Sequence, residues 1–225
     1  MTKATENKTF GRRGFMKAAA AGTLILGARS ALGAAANETL EIGLIGCGGR
    51  GPWIGNLFQK NSATKVVAVH DPFKDRVEEA GKRLDVPGNR QYTGLDGYHE
   101  LIASGVDAVA IISPPYFHPE QTVAALEAGK HVYLAKPIAV DVPGCTAIVD
   151  AANKHGDTLC TWVDFQTRQH PFYIEAIKRL HDGLIGEPVV GQAYYYARRL
   201  NIKMEPGTEE ARLRNWVFDI ALSGD

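Results

Sequence analysis

LEIGLIGCGGRG, residues 40–51, decides the fold of this chain. The apolar run Leu40–Ile45 predicts a buried strand, and the six residues after it fit the pattern G-x-G-x-x-G, with a helix expected from Pro52 onward. In this pattern Gly46 permits a tight turn, Gly48 lets backbone approach a pyrophosphate, and Gly51 lets the helix pack closely on the strand. Backbone N–H groups at the start of that helix, together with the helix dipole, would then hold the phosphates.

A second element supports a dinucleotide-binding interpretation, which the glycines alone would not, because glycine clusters more often mark ordinary turns. Val66–Val69 predicts the next strand, and Asp71 ends it 20 residues beyond Gly51. Dinucleotide-binding folds place an acidic residue there for the ribose hydroxyls of the adenosine. We therefore expect a cofactor site that includes Gly46, Gly48, Gly49, Gly51 and Asp71.

The charges near this site bear on the choice of cofactor. The carboxylate of Asp71 would repel the 2′-phosphate of NADP, and no arginine follows it immediately, which favours NAD. Lys74 and Arg76 lie slightly further along the chain and leave NADP open. Arg50 either contacts the pyrophosphate or faces solvent at the start of the helix.

Strand and helix patterns alternate along the next part of the chain. Strands are expected at Leu40–Ile45, Thr64–His70, Arg90–Thr93, Ala108–Ile112, His131–Leu134 and Thr158–Val163, and helices at Gly51–Lys60, Lys74–Leu84, Gly97–Ser104, Pro119–Ala128 and Pro143–His155. The uninterrupted apolar run in the fourth strand suits a parallel strand that is covered on both faces. This alternation predicts an α/β fold with a Rossmann-type doubly wound parallel sheet, in which ligands bind beyond the carboxyl ends of the strands.

The N-terminus resembles a twin-arginine export signal. The adjacent pair Arg12-Arg13 precedes Phe15 and Lys17, a mildly apolar run follows from Ala18 to Leu26, and small residues at 34–36 offer a cleavage site. The apolar run is shorter than the roughly 20 residues that a membrane span needs. We expect a periplasmic or other extracytoplasmic location. Because this route carries folded proteins, a tightly bound cofactor could be loaded before export; the alternative is a disordered basic tail with an Ala-rich helix.

Composition adds looser limits. The 225 residues carry 25 basic and 25 acidic side chains, so neither a basic stripe nor net charge suggests a nucleic-acid partner. The 3 cysteines show no C-x-x-C pair and no metal-ligand spacing, so we expect neither a metal site nor a disulfide framework.

Two loops at the expected carboxyl edge of the sheet carry a resemblance to a known family. Ser113–Pro137, with its Ser-Pro-Pro-Tyr-Phe-His and Lys-Pro segments, is similar to the Gfo/Idh/MocA oxidoreductases, which include glucose–fructose oxidoreductase and inositol dehydrogenases. The same resemblance extends to Gly46–Gly51, Asp71, Arg168–Pro171 and Leu184–Val189. It implies hydride transfer between NAD(P) and a secondary alcohol of a sugar or cyclitol, and self-association of the full-length protein.

The resemblance also implies a catalytic lysine. The family's usual Glu-Lys-Pro reads Ala135-Lys136-Pro137 here, so the lysine is present and its acidic neighbour is replaced. In the family this lysine faces the nicotinamide and the substrate, and helps to move the hydroxyl proton while hydride is transferred. The alternative for Lys136 is an exposed loop lysine.

Three further residues are cofactor candidates by the same resemblance, each with an alternative. Ser113 either lies near the nicotinamide or is a plain loop residue. His118 either lines the nicotinamide pocket or caps the helix that follows it. Arg168 either faces the cofactor or pairs with a surface acid.

The organisation we predict is a signal at residues 1–36, a dinucleotide-binding domain at 37–165, and the beginning of a substrate and oligomerisation domain at 166–225. In the last of these, Pro188–Tyr196 is expected to form the first strand of an open, mainly antiparallel sheet. The family's second domain continues further and supplies an acid–base histidine, so we expect this chain to be C-terminally truncated. Two alternatives stay open: an NAD-dependent glycosidase of the same superfamily, and a dinucleotide-binding protein or fragment without turnover.

Overall fold

The computed structural model describes residues 39–198 and 200–224. The expected export signal at residues 1–36 lies outside the described residues. The described chain forms one α/β unit up to residue 164, followed by a mostly exposed section and a short segment that packs back onto the unit.

A parallel sheet of six strands forms the centre of this unit, in the order β3-β2-β1-β4-β5-β6. The strands are β1 Leu40–Ile45, β2 Thr64–Asp71, β3 Gln91–Thr93, β4 Ala108–Ile111, β5 His131–Ala135 and β6 Thr161–Asp164. The strand order reverses between β1 and β4, which pair in register from Ile42 with Ala108 to Ile45 with Ile111. A crevice therefore opens beyond the carboxyl ends of these two strands, where doubly wound folds bind ligands. The predicted fold class is confirmed.

Helices cover both faces of the sheet. The helices are α1 Arg50–Asn61, α2 Lys74–Leu84, α3 Gly97–Ala103, α4 His118–Glu127, α5 Val142–His155, α6 Pro171–His181, α7 Glu209–Arg214 and α8 Ile220–Ser223. Single 3-10 turns lie at Gly88–Arg90, Pro115–Phe117, Gln166–Gln169 and Trp216–Phe218.

Successive residues of a strand point to opposite faces of the sheet, so each central strand contributes side chains to two separate hydrophobic cores. On β4, Val109 and Ile111 pack with side chains of α3, α4 and α5, whereas Ala110 packs with the core of α2. On β1, Ile45 joins the first core and Leu44 the second. Both faces of the central strands are thus buried, which explains the uninterrupted apolar sequence of β4.

The expected strand at Pro188–Tyr196 is wrong for this structure. Residues 187–198 form neither strand nor helix, and their side chains are exposed. A strand is held by hydrogen bonds to a neighbouring strand, and no partner for this run is found among the described residues. The β6 prediction also began too early, since Thr158–Cys160 forms a turn and extended residues before the strand starts at Thr161.

Two further observations concern the described helices and the cysteines. None of its helices has the length and apolar character needed to cross a membrane. Cys47, Cys145 and Cys160 are all free thiols.

Candidate functional site

The glycine turn after β1 is tightly built against the rest of the crevice. Gly46 has a φ of +95°, and a Cβ there would lie 2.6 Å from the carbonyl carbon of Ile112, at the end of β4. A Cβ on Gly51 would overlap the carbonyl oxygen of Gly46, because α1 starts directly on the turn. At these two positions the fold itself requires glycine.

Unlike Gly46 and Gly51, Gly48 and Gly49 have room for a side chain. A Cβ added to either residue would meet no described atom within 4 Å. Gly49 is the N-cap of α1 and offers no side-chain cap, and the first turn of the helix contains no acidic residue. The positive end of the helix, whose first N–H groups have no partner within the helix, therefore lies beside open space, and such a helix end favours an anionic group.

Asp71 connects this turn to the end of β2. Its carboxylate is 3% exposed and accepts N–H bonds from Cys47 at 2.9 Å and from Phe73 at 3.1 Å. Burial raises the pKa of Asp71, while the Phe73 N–H, the Arg76 guanidinium 3.9 Å away and the Cys47 N–H act in the opposite direction. A carboxylate has about four acceptor positions, so two N–H bonds leave room for ribose hydroxyls.

An apolar pocket opens beside Asp71. Its walls come from the ends of β1, β2 and β4, the start of α2, the loop before α3 and helix α4, with one residue from α7. The lining residues are Ile45, Gly46, His70, Asp71, Pro72, Phe73, Arg76, Leu95, Ser113, Pro114, Phe117, Gln121 and Leu213. The lining is mainly apolar with a few polar groups, as in nucleoside sites, but the cavity encloses only about 30 Å³, so a nucleoside would enter it only after its walls move apart.

Ser113 lines the same pocket as Asp71. Its hydroxyl donates to Oε1 of Gln121 at 2.6 Å, and Gln121 is itself buried. Contact of Ser113 with a nicotinamide stays a prediction.

His118 is a fully buried connection between two loops. Nε2 lies 2.9 Å from the carbonyl oxygen of Ser113, and Nδ1 lies 2.9 Å from that of Pro137 and 3.2 Å from that of Ile138. Burial lowers the pKa of His118, and the three carbonyl contacts oppose this shift. The prediction of a helix cap is wrong, because α4 begins at His118 and its N-cap is Phe117.

Lys136 follows β5 directly and is exposed. Among the described residues it has no hydrogen bond and no ion pair, so its ammonium group is available at the carboxyl edge of the sheet. His118 fixes the loop that carries it through the carbonyls of Pro137 and Ile138.

The two arginine candidates differ in their surroundings. Arg50 forms an ion pair with Asp164 at the end of β6. Neither of the two expectations from the sequence, contact with the pyrophosphate or a position facing solvent, included this pair. Burial raises the pKa of Tyr133, and its hydrogen bond to Asp164 raises that pKa further. Arg168 is exposed, with its guanidinium 5.3 Å from the ring centre of Phe165, and no acid pairs with it in the described part of the chain.

Some residues of the site were missed from the sequence. Asp164 was detectable in principle, since it is the acidic residue at the carboxyl end of a parallel strand. The partnership of Gln121 with Ser113 and the arrival of Leu213 from α7 had no local signal, because each depends on how distant elements pack.

Residues 40–163 match the family model GFO_IDH_MocA, described as an oxidoreductase family with an NAD-binding Rossmann fold. The chain belongs to the Gfo/Idh/MocA family. It is 36% identical over 153 residues to the inositol 2-dehydrogenase of Klebsiella pneumoniae (strain 342), covering 68% of this chain and 44% of that protein.

Solved structures of Gfo/Idh/MocA relatives show the same architecture. The scyllo-inositol dehydrogenase of Lactobacillus casei, with bound NAD(H) and scyllo-inositol, matches with a TM-score of 0.59 at 28% identity, covering 67% of this chain and 43% of that one. A variant of a 3-ketoreductase from Actinomadura kijaniata, in complex with TDP-benzene and NADP, matches with a TM-score of 0.55 at 28% identity, covering 67% and 44%. The match spans less than half the length of each of these three relatives.

Proposed function

We propose that this protein is an NAD-dependent dehydrogenase that transfers hydride at a secondary alcohol of a cyclitol or a sugar. The observation that carries the proposal is the placement of three features at one edge of the sheet: the open glycine turn after β1, Asp71 after β2 and Lys136 after β5. The names of the relatives, inositol 2-dehydrogenases among them, support a cyclitol as the first substrate to test.

The residues present fit a dinucleotide. The space beside Gly48 and Gly49 would hold the pyrophosphate against the start of α1, because no described side chain occupies it. Asp71 would accept hydrogen bonds from the ribose hydroxyls, and the apolar pocket next to it, which encloses about 30 Å³ in this structure, would widen to take the adenine. The buried anion of Asp71 favours a 2′-hydroxyl over a 2′-phosphate, which supports NAD over NADP.

Lys136 supplies the proton chemistry in this proposal. When bound, NAD⁺ provides the acceptor for the hydride. The alcohol must also lose its hydroxyl proton, and an unprotonated Lys136 can accept that proton as a general base. Since Ala135 replaces the family's glutamate, Lys136 performs this step without an acidic neighbour from its own tripeptide.

We also propose export through the twin-arginine route, from the pattern around Arg12 and Arg13. A dehydrogenase outside the cytoplasm would work where free dinucleotide is scarce. It would therefore retain its cofactor and recycle it in place.

The test is a fluorescence titration of the chain with NADH, followed by competition with NAD⁺ and NADP⁺. We expect saturable NADH binding that NAD⁺ reverses at lower concentration than NADP⁺. Reduction of bound NAD⁺ is then followed with scyllo-inositol, myo-inositol and a panel of aldoses, in a chain that carries a complete second domain. No saturable binding would refute the dinucleotide assignment; binding without reduction by any alcohol would favour a non-catalytic role.

A further inference from the structure

The end of the described chain returns to the nucleotide pocket. We call residues 209–224 the strap; it comprises α7, the 3-10 turn Trp216–Phe218 and α8. Whereas the side chains of residues 182–198 and 200–207 are exposed, Ala211 and Leu222 of the strap are buried at 1% and 3% exposure. The strap is therefore packed on the α/β unit, although it belongs to the part of the chain beyond it.

One arginine fastens the strap beside the pocket. Arg214 donates from Nη1 and Nη2 to the two carboxylate oxygens of Asp75, at 3.0 and 2.8 Å. Its guanidinium also lies 4.0 Å from the ring centre of Phe73, and its Nε donates to Glu210 at 2.8 Å within α7. The bond to Arg214 lowers the pKa of Asp75, so the pair stays charged through the neutral range. A two-pronged pair of this kind fixes orientation as well as distance.

The Arg214–Asp75 pair positions Leu213, the residue before Arg214, in the pocket. Phe73 and Asp75 lie at the start of α2, two and four residues after Asp71, so the strap is fastened directly beside the expected ribose site. Leu213 lines the pocket together with Phe73, Leu95 and Phe117. With the strap in this position the four apolar side chains enclose only about 30 Å³, so a flat base would pack between them only after the strap has moved outward.

We propose that Leu213 contacts the adenine of the bound dinucleotide and that the Arg214–Asp75 pair, as a positioning pair, holds it there and slows cofactor release. This inference deepens the proposed function and rests on it. It assigns retention of the cofactor to the strap, outside the matched Rossmann residues 40–163. The chemical consequence is a cofactor that leaves only when the strap opens.

The experiment measures release of NADH from the 225-residue chain by stopped-flow fluorescence, with excess NAD⁺ as the chase. We expect Arg214→Ala to speed release roughly fivefold. A well-formed ion pair near the surface contributes about 1 kcal/mol, and this energy corresponds to that factor. Leu213→Ala should speed release at least as much, because it removes the contact itself. The matched control is Arg179→Ala, since Arg179 pairs only with Glu175 on α6.

Two further readouts separate positioning from general structure. Reversing the pair with Asp75→Arg and Arg214→Asp together should return release toward the wild-type rate, while each single change accelerates it. Hydrogen exchange in the wild type should show NADH protecting amides of residues 209–216. NADH binding with an unchanged release rate in Arg214→Ala, or without added protection of the strap, would overturn this inference alone. Absence of NADH binding would overturn the proposed function, and the strap inference with it.

Discussion

Gly48 lies where the protein itself would tolerate a side chain. A Cβ there has no described neighbour within 4 Å, so Gly48→Val should fold normally. The same branched side chain would occupy the space assigned to the pyrophosphate, and we expect dinucleotide binding to be lost. Thermal unfolding and NADH titration measure the two effects separately. Gly88→Val is the control, because a Cβ on Gly88 would likewise meet no described atom within 4 Å, and Gly88 lies in a 3-10 turn outside the site.

A folded Gly48→Val protein with wild-type NADH affinity would show that the phosphates do not approach this turn. At Gly48 the effect of a side chain on ligand binding can be measured separately from its effect on packing. At Gly46 and Gly51 the two effects cannot be separated, since a Cβ at either position would collide with described backbone.

Asp71 should control the choice between the two dinucleotides. Asp71→Asn keeps the shape of the side chain and an acceptor for the Cys47 or Phe73 N–H group, but removes the charge. We expect the NADP-to-NAD affinity ratio to rise roughly tenfold, because a carboxylate several ångströms from a phosphate costs on the order of 1–3 kcal/mol. Asp71→Ser should change the ratio in the same direction. Titrating both cofactors into all three proteins checks this, and a constant ratio would place Asp71 away from the ribose.

At the scale of elements, His118 holds the loop after β4 to the loop after β5. A neutral ring has one N–H, which it donates either to the carbonyl of Ser113 or to those of Pro137 and Ile138, and replacing His118 with leucine removes that donor. We expect His118→Leu to lower the free energy of unfolding by about 1–3 kcal/mol, measured by urea denaturation at pH 7.5.

The pH dependence of this loss has a definite sign. Burial lowers the pKa of His118 in the folded state, so below the ordinary value of 6.5 the unfolded chain binds the proton more readily. The free energy of unfolding should therefore fall as the pH drops below about 6.5, and His118→Leu should lose part of that dependence. His70, whose pKa burial also lowers, supplies another part. A variant with the full wild-type slope would contradict the assignment of a neutral buried ring to His118.

The elements also show what the sequence could predict. The alternation of apolar strands and helices, punctuated by glycines, predicted all six strands and the five helices between them, because each signal is local. Pro188–Tyr196 failed because a strand exists only with a neighbour, and the neighbour is not in its own sequence. The Arg214–Asp75 pair spans 139 residues, and no local pattern links such positions. The Arg50–Asp164 pair, which joins α1 to β6, was missed for the same reason.

For the whole molecule, the first question is where it works. Arg12→Lys combined with Arg13→Lys should leave the protein in the cytoplasm, because the twin-arginine route requires the guanidinium pair and lysine supplies only its charge. Fractionation of cells that express the double variant measures this, with Lys3→Arg as a control for a change of basic residue elsewhere in the leader. Mature double variant in the periplasm would indicate another route and would weaken the argument for a preloaded cofactor.

The last question for the whole molecule is whether Lys136 performs chemistry. In the full-length protein, Lys136→Ala should lower the single-turnover rate of NAD⁺ reduction by about 10²–10⁴-fold, the usual value of general acid–base help. Cofactor affinity should change little, because the ammonium of Lys136 gains nothing from a nicotinamide that is itself cationic when oxidised. Lys136→Arg should rescue the rate poorly, since a guanidinium stays protonated and cannot accept the hydroxyl proton. Lys130→Ala is the matched control, as Lys130 lies in the turn at the opposite, amino end of β5. If Lys136→Ala turns over within a few-fold of wild type, the exposed lysine is only a loop residue, and the proton must leave through groups of the second domain.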